Sequence, residues 1–288
     1  MNMPNLFFLK SFNFIFELIS PKLILNLRYY IKFRRLLDLS DPVLFYDKIF
    51  YNSLYSDTSR WTELADKYKV RKYVEEICGS GFCPKLLGIY HSSREIPFDV
   101  LPNQFVLKTN NGCASNIIVK DKNIINKKEI CRKLDYWLAF PYGKITGQKH
   151  YSKIIPVIIA EEMLIQDRDV ESPLIDYKFY CFHGVPSFCM VMSDRKFNTH
   201  EFKLMMYDMK WNPKPKFFNG TKVLKEVEKP KCLEELKKMA EKLSKGFPFV
   251  RVDLYSINDH PVFGEMTFMP GMDIGLTLEK QKELGDLI

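Results

Sequence analysis

Two acidic residues near the C-terminus, Asp253 and Glu265, are the side chains of this chain best suited to binding a metal ion. They lie in the run VRVDLYSINDHPVFGEMTFMPG (250–271), whose pattern predicts two β-strands joined by a three-residue loop, 258–260. In that register Asp253 faces Glu265 directly. Facing carboxylates repel unless a cation lies between them, and few carboxylates with open positions for phosphate oxygens suit Mg²⁺. The alternative reading of the pattern is the solvated polar face of an edge hairpin.

Side-chain alternation adds an arginine and a hydroxyl to this pair. Arg251 shares a strand face with Asp253 and is predicted to lie opposite Thr267. On the return strand the same alternation places Phe263, Glu265 and Thr267 on one face. Arg251 is therefore one candidate to balance the two carboxylates, and a divalent metal ion is the other.

One lysine stands at the predicted start of a helix. Asp66 is a good N-cap for the segment KYKVRKYVEEIC, and Gly79 ends it, so Lys67 takes the first helical position. A cation at that end opposes the helix dipole, which is unusual for a structural residue and natural for one that meets a phosphate.

A second lysine precedes a loop of small and polar residues. The predicted strands 105–109 and 116–120 flank the loop 110–115, and Lys108 stands where the first strand ends. Small side chains let backbone N–H groups approach a triphosphate, and the lysine supplies charge. Because the loop has a single glycine, Gly112, an ordinary hairpin loop is the alternative.

A third lysine, Lys178, lies in the middle of a predicted hairpin, 174–193, on the same strand face as Asp176. A lysine at such a position must be paired, extend to the surface or face an anion. Before this hairpin the apolar run IIPVIIAEEMLIQD predicts a buried strand that ends at Glu161 and Glu162.

Composition limits the partners of the protein. The chain has 288 residues, 46% of them hydrophobic, with a net charge of +8 that is not gathered into one basic run. This favours an anionic ligand, such as a nucleotide, an acidic sugar or a membrane surface, and no nucleic-acid-binding signature is present. Seven cysteines without framework spacing indicate a reduced, cytoplasmic chain, and the five scattered histidines make a structural zinc site a poor expectation.

The N-terminal segment has two interpretations. Residues 6–27 are apolar but interrupted by charges and Pro21, so the uncharged runs are too short to span a bilayer, and a basic, aromatic cluster follows at 28–35. The segment is either a peripheral contact with an anionic membrane surface or a helical segment docked on the body of the protein with its basic side solvated.

The remaining elements follow from periodicity and composition. Helices are predicted at 127–140, 232–244 and 278–288, a basic loop at 144–153, and an irregular polar segment at 194–229. The basic loop, Arg195 and the N-terminal cluster are candidates for holding an anionic saccharide, and a solvated surface is the alternative for each.

The order of these parts resembles the ATP-grasp ligases, most clearly in the stretch RVD(x11)E-x-T-x-x-PG. The segments DPVLFYDKI, DYKFYCFHG and GEMTFMPG resemble, more narrowly, the TupA-like branch, named for teichuronopeptide biosynthesis and found in bacterial surface-polysaccharide gene clusters. The resemblance implies an α+β ATP-grasp fold with two lobes that clasp ATP. It divides the chain into a helical N-terminal segment (1–58), an N-terminal lobe (59–165) and a C-terminal lobe with the metal site (166–288).

The resemblance also assigns roles to individual residues. It implies nucleotide binding by Lys67, Lys108, Asn110, Gly112, Ser115, Glu161, Glu162, Leu164, Asp167, Asp169 and Lys178. Within this set, Lys67 and Lys108 hold phosphates beneath the loop 110–115, and Glu161 with the backbone through Leu164 binds the adenine. Asp167 or Asp169 lies near the ribose, and Lys178 reaches the transferred phosphoryl group. It further implies that Mg²⁺ is bound by Asp253, Glu265 and Thr267, and that Arg251 stabilises the acyl phosphate and the tetrahedral intermediate. Where many ATP-grasp enzymes have an asparagine this chain has Thr267, whose hydroxyl is a poorer Mg²⁺ ligand.

The activity that the resemblance implies is ATP-dependent ligation of a carboxylate to an amine, here a hexuronic acid and an amino acid or other small amine. Two alternatives belong to other classes of protein. A glycosyltransferase would use a DxD-type metal motif, and Asp167-Arg168-Asp169 matches its letters. A non-catalytic membrane scaffold would use the basic N-terminus, and it would leave Asp253 and Glu265 unexplained.

Overall fold

The computed structural model of the protein describes residues 19–166, 173–195, 201–219 and 223–288. The chain forms two compact units. The first unit combines residues 57–71 and 84–163 with the described residues up to 28, and the second combines 29–56 and 72–83 with the described residues from 164 onward. Each unit contains helices and antiparallel strands, which confirms the α+β class.

The described helices are α1 (Pro21–Phe33), α2 (Phe45–Tyr55), α3 (Ser59–Ala65), α4 (Val70–Cys78), α5 (Lys127–Ala139), α6 (Tyr142–Thr146), α7 (Lys149–Ser152), α8 (Leu233–Ser244) and α9 (Leu278–Gly285). The described strands are β1 (Leu86–Tyr90), β2 (Phe105–Thr109), β3 (Asn116–Val119), β4 (Ile158–Glu162), β5 (Asp176–Phe182), β6 (Val185–Ser193), β7 (Lys203–Asp208), β8 (Phe249–Ile257) and β9 (His260–Thr267).

A four-stranded antiparallel sheet in the order β1-β4-β2-β3 forms the centre of the first unit. Strand β4 lies inside this sheet because its apolar run can be buried on both faces, and Ile158, Ile159 and Ala160 are fully buried. Helix α5 contributes Leu134 to one apolar cluster with Leu107 of β2 and with β4. This packing fixes the pairing of β2 with β4, in which Lys108 lies opposite Ile159, two positions from Glu161.

A five-stranded antiparallel sheet in the order β7-β6-β5-β8-β9 forms the centre of the second unit. Helix α8 covers one face, where the Cys181 thiol lies 3.9 Å from the carbonyl oxygen of Ala240. Val252 and Leu254 of β8 are fully buried on this apolar face. Because side chains alternate along a strand, the opposite face of the same strands carries Arg251 and the other charged residues.

Helix α2 closes one end of that opposite face. The ring of Phe45 lies 4.9 Å from the ring of Phe249 and 6.1 Å from that of Tyr180. The neighbouring Tyr46 donates a hydrogen bond from its hydroxyl to the carbonyl oxygen of Gly271, at 2.9 Å. The aromatic-rich segment before residue 58 therefore packs within the second unit.

In the hairpin β8–β9, Asp253 pairs with Glu265 as predicted, but the turn that joins the two strands is shorter than predicted. Ile257 pairs with His260, so the loop has two residues, Asn258 and Asp259, and their φ values of 50° and 63° fit a type I′ turn. The predicted three-residue loop was wrong because Asn-Asp can take up left-handed backbone at both central positions.

The shorter turn alone would shift the pairing of the two strands by one residue, and a bulge at Gly264 cancels this shift. Asp253 pairs with Glu265, whereas the next residue, Leu254, pairs with Phe263. Phe263 therefore lies on the buried face with Leu254, 3% exposed, and its predicted placement beside Glu265 was wrong.

We expect Gly264→Ala to destabilise the protein by about 1–3 kcal/mol, which for a chain of this size lowers Tm by several degrees. A Cβ at this position would lie 2.9 Å from the carbonyl oxygen of Asp253 and 3.1 Å from the ring of Tyr255. Thermal unfolding followed by circular dichroism measures the change. His260→Ala, an exposed substitution in the same strand, is the control. A Tm equal to that of the wild type would contradict the bulge.

Two further expectations were wrong. The segment 194–229 contains the edge strand β7, which pairs with β6 along six residues. Its apolar run LMMY is a buried-strand signal hidden by polar neighbours. The basic segment 144–153 is not a loop, since α6 and α7 occupy most of it.

The predicted helical N-terminal segment is present as α1, and residues 1–18 lie outside the described residues. Leu25 and Tyr29 on one side of α1 are fully buried, whereas Leu23 and Leu27 are 62% and 57% exposed. Among the described helices, none combines the length and the apolar character needed to cross a membrane.

Candidate active site

The polar face of the second unit's sheet carries a cluster of charged residues that pair with one another. The cluster consists of three cations and three anions, namely Arg195, Lys178, Arg251, Asp176, Asp253 and Glu265. Strand pairing assembles its centre, because Lys178 of β5 pairs with Asp253 of β8, which in turn pairs with Glu265 of β9. We call this cluster the charged face.

Arg251 bridges the two carboxylates at the centre of the charged face. Its Nε and Nη2 donate to the two oxygens of Asp253, at 2.7 and 2.8 Å, and Nη2 also donates to Glu265 at 3.2 Å. Thr267, paired with Arg251 as predicted, accepts from Nη2 at 3.1 Å and donates to Glu265 at 2.8 Å. Burial lowers the pKa of Arg251, but Asp253 and Glu265 raise it by more, so the guanidinium stays charged.

Lys178 is held between two carboxylates. Its Nζ lies 2.5 Å from Oδ2 of Asp253 and 3.3 Å from Oδ1 of Asp176, and the residue is 6% exposed. Burial lowers the pKa of Lys178, whereas Asp176 and Asp253 raise it by a larger amount, so the net direction is upward. The ammonium group is therefore charged and fixed beside the carboxylate pair.

Asp176 belongs to the cluster, although no role was predicted for it. It is 6% exposed, its Oδ1 contacts Lys178, and its Oδ2 lies 2.8 Å from Nη2 of Arg195. Its position two residues before Lys178, on the same strand face, was the available signal. The pairing with Arg195 could not be read from the sequence because it depends on where β6 ends.

The residues of the charged face fit a Mg²⁺ ion that shares its coordination with phosphate. Asp253 and Glu265 offer hard oxygen ligands on paired strands, and the Glu265 side chain is 30% exposed, so a ligand can reach it. In the described part of the chain, no three His, Cys, Asp or Glu residues form a metal-binding group. Two carboxylates suit an ion that keeps water and phosphate ligands rather than a closed protein cage.

The first unit contains a smaller charged cluster around Glu161. This carboxylate is 4% exposed, its Oε2 lies 2.5 Å from Nζ of Lys108, and its Oε1 lies 2.9 Å from Nη1 of Arg71. Sequence reasoning missed Arg71, whose partner is 90 residues away. Both oxygens of Glu161 hold cations, so the carboxylate orients Lys108 and Arg71.

Lys67 contacts the loop 110–115. Its Nζ donates to the carbonyl oxygen of Gly112. Asp66 accepts from the backbone N–H groups of Tyr68 and Lys69, at 2.8 and 3.2 Å. The predicted helix start at Lys67 was wrong, however, because 67–69 form a turn and α4 begins at Val70.

The side chains of the loop 110–115 brace its backbone. Asn110 accepts from the N–H of Val157 at 2.8 Å and donates to the carbonyl oxygen of Ile155 at 3.0 Å. Ser115 accepts from the hydroxyl of Thr109 at 2.9 Å. A Cβ on Gly112 would lie 3.1 Å from the ring of Tyr142, so only glycine fits there without movement.

The remaining residues of the predicted nucleotide site are placed as follows. Glu162 is exposed, and its Oε1 accepts from the backbone N–H of Lys85 at 2.8 Å. Leu164 follows β4 and is partly buried. Asp167 and Asp169, and with them the DxD-like triplet, lie outside the described residues.

His150 is a poor candidate for holding an anionic saccharide. It is fully buried, and burial lowers its pKa to about 3, so the imidazole is neutral at physiological pH.

The chain matches one family model and is similar to several solved structures. A family model described as TupA-like ATPgrasp matches residues 47–288. No protein of curated function matches the chain. Among solved structures, the ATP-grasp ligase PsnB complexed with minimal precursor is similar at 10% identity and a TM-score of 0.41, over 84% of this chain and 61% of that one.

Two D-alanine–D-alanine ligases are also similar in structure. The Bacillus anthracis enzyme complexed with ATP has 16% identity and a TM-score of 0.46, over 78% of this chain and 65% of that one. The Helicobacter pylori enzyme has 13% identity and a TM-score of 0.43, over 86% and 68%. The chain thus spans less than two thirds of PsnB and of the Bacillus anthracis ligase.

Proposed function

The chain belongs to the TupA-like ATP-grasp family, and from this membership we propose that it is an ATP-dependent ligase that joins a carboxylate to an amine. ATP-grasp enzymes use ATP and Mg²⁺. The observation that carries the proposal is the centre of the charged face, where Arg251 and Lys178 flank Asp253 and Glu265. This set of groups suits the transfer of a phosphoryl group to a carboxylate oxygen.

The proposed reaction has two steps. In the first, a carboxylate oxygen of the acid attacks the γ-phosphorus of ATP, the bond to the β–γ bridging oxygen breaks, and an acyl phosphate and ADP form. In the second, the amine nitrogen attacks the acyl carbon, the carbon–oxygen bond to phosphate breaks, and the nitrogen loses a proton. The protein contributes by positioning the reactants and neutralising negative charge, and no nucleophilic side chain is required.

The charged face supplies the catalytic groups in this proposal. Lys178 contacts the transferred phosphoryl group, and Arg251 stabilises the negative oxygens of the acyl phosphate and the tetrahedral intermediate. Asp253 and Glu265 would hold Mg²⁺, whose charge offsets that of the phosphates. Thr267 would complete one metal position through its hydroxyl, which is already oriented by Arg251.

The first unit supplies nucleotide-binding groups in the same proposal. Lys67 and Lys108 would bind phosphates together with the loop 110–115. Asn110, Gly112 and Ser115 would maintain the backbone conformation of this loop. The short segment from Glu161 through Glu162 to Leu164 would read the adenine, mainly through its backbone, since the Glu161 carboxylate is committed to Lys108 and Arg71. Asp167 or Asp169 would contact the ribose.

We propose a hexuronic acid of a bacterial capsular or surface polysaccharide as the carboxylate, and an amino acid or other small amine as the acceptor. Family membership supports this choice, and the net charge of +8 suits an anionic saccharide. The reaction is proposed to take place in the cytoplasm, with α1 as a candidate for peripheral membrane contact.

The test is ADP release in the presence of an acid and an amine together. Uronic acids paired with amino acids should give ADP and phosphate in equal amounts, and a product whose mass is that of acid plus amine minus water. Omission of either substrate, of Mg²⁺ or of ATP should remove the product. Transfer of a sugar from a nucleotide-sugar, with no ATP turnover, would contradict the ligase and favour the glycosyltransferase.

A further inference from the structure

Arg195 is a cation of the charged face that the reaction above does not use. It follows the end of β6, and its side chain is 48% exposed, whereas that of Lys178 is 8% exposed. Its Nη2 lies 2.8 Å from Oδ2 of Asp176 and 3.8 Å from the sulfur of Met192.

The buried carboxylate of Asp176 fixes the position of Arg195 through an ion pair. The carboxylate is buried, 8% exposed in its side chain, and it holds Arg195 on one oxygen and Lys178 on the other. A guanidinium fixed at one edge by a buried carboxylate loses little conformational freedom when its remaining N–H groups bind an anion. Asp176 therefore couples the position of Arg195 to that of Lys178.

Arg195 is the most exposed residue of the charged face. Tyr180 and Arg251 are 0% and 8% exposed, and rings of α2 cover this end of the face. In the other direction, past Lys178, the face reaches Asp176 and the half-exposed Arg195. Arg195 is therefore the cation of the charged face that an anionic ligand can reach most directly.

We propose that Arg195, positioned by Asp176, forms a second oxyanion-binding subsite of the charged face, in addition to Lys178 and Arg251. Its ligand is an anionic oxygen group of a substrate, either the carboxylate of the acid or a phosphate of the nucleotide. The proposal rests on the proposed ligase function and deepens it by adding a specificity-determining residue.

The experiment compares Arg195→Ala and Arg195→Lys with the wild type in the ADP-release assay, measuring KM for the acid and KM for ATP separately. We expect Arg195→Ala to raise one of them ~10- to 100-fold, the range for loss of a charge-assisted hydrogen bond, with a smaller rise for Arg195→Lys. A rise in KM for the acid identifies the carboxylate as the ligand, and a rise in KM for ATP identifies a phosphate.

The matched control is Lys203→Ala, which removes another ion-paired cation of the second unit, 42% exposed and 2.7 Å from Asp194. It should leave both KM values unchanged. Asp176→Asn should raise the same KM as Arg195→Ala, and Asp176→Glu should restore part of it, because a positioning residue acts through the arginine. If Arg195→Ala leaves both KM values at the wild-type level, the subsite is overturned.

A failure of the ligase function gives a different result. If the wild type releases no ADP with any acid and amine, the proposed function is overturned, and the subsite is then tested by calorimetric titration with ATP and with glucuronate. Weaker binding of either ligand to Arg195→Ala than to Lys203→Ala supports the subsite. Equal binding by the two variants overturns it.

Discussion

Asp253→Asn should lower kcat with saturating Mg-ATP by about a thousandfold, the upper end of what removal of one electrostatic contact costs an enzyme. The carboxylate accepts two of the four hydrogen bonds that Arg251 donates to Asp253, Glu265 and Thr267, and it also holds Lys178. The amide would bind Mg²⁺ poorly and leave two buried cations with less negative charge beside them. Steady-state kinetics at increasing Mg²⁺ measures both effects, and we expect the Mg²⁺ requirement to rise with the loss of kcat.

This variant needs a companion because a buried ion pair broken on one side can cost about 3–5 kcal/mol of stability. Glu265→Gln is suitable, since its side chain is 30% exposed and an amide can still accept from Arg251 and Thr267. It should remain folded by circular dichroism and lose about 100-fold in kcat. Asp208→Asn removes a carboxylate from β7 that pairs with Lys214, outside the charged face, and serves as the control. Wild-type kcat in Glu265→Gln would contradict the metal site.

Arg251→Lys should lower kcat by about 100-fold and change KM for ATP much less. The planar guanidinium contacts Asp253, Glu265 and Thr267 at the same time, whereas a lysine ammonium on a flexible chain can reproduce only part of this geometry. The loss falls on kcat because Arg251 is proposed to act on charge that develops during the reaction rather than on the bound nucleotide. Initial rates at saturating acid and amine measure it.

The control for this exchange is Arg94→Lys, a substitution at an exposed position of the first unit. It should have wild-type kcat and KM. An Arg251→Lys enzyme with unchanged kcat and a raised KM for ATP would contradict the catalytic role and would reassign Arg251 to nucleotide binding.

The pairing of Asp253 with Glu265 in the β8–β9 hairpin was predicted correctly from a turn length that was wrong. The sequence places Asp253 opposite Glu265 through a three-residue loop, and the structure does so through a two-residue turn and a bulge at Gly264. The two differences cancel at the functional end of the hairpin. They do not cancel at Phe263, which lies in the core instead of on the charged face.

Sequence reasoning missed Arg71 and the pairing of Arg195 with Asp176, because in both cases the partner is remote in the sequence. Arg71 lies on a helix and contacts Glu161 on β4, and Arg195 meets Asp176 only because β6 ends beside the start of β5. No local pattern marks either pair. The apolar run of β7 was a local signal, and its polar surroundings concealed it.

The sequence by itself determined the strands that carry Lys108 and Lys178, and the alternation that puts Arg251 and Asp253 on one strand face. These properties depend on the two-residue period of a strand, on helix caps and on turn residues, all of which act within a few positions of the chain. The tertiary structure decided which strands are neighbours. The order β7-β6-β5-β8-β9 brings Lys178 beside Asp253, and it is set by burial of the apolar face under α8. The apolar area buried under α8 comes from residues that are far apart in the chain. For this reason no single segment predicts which residues make up the charged face.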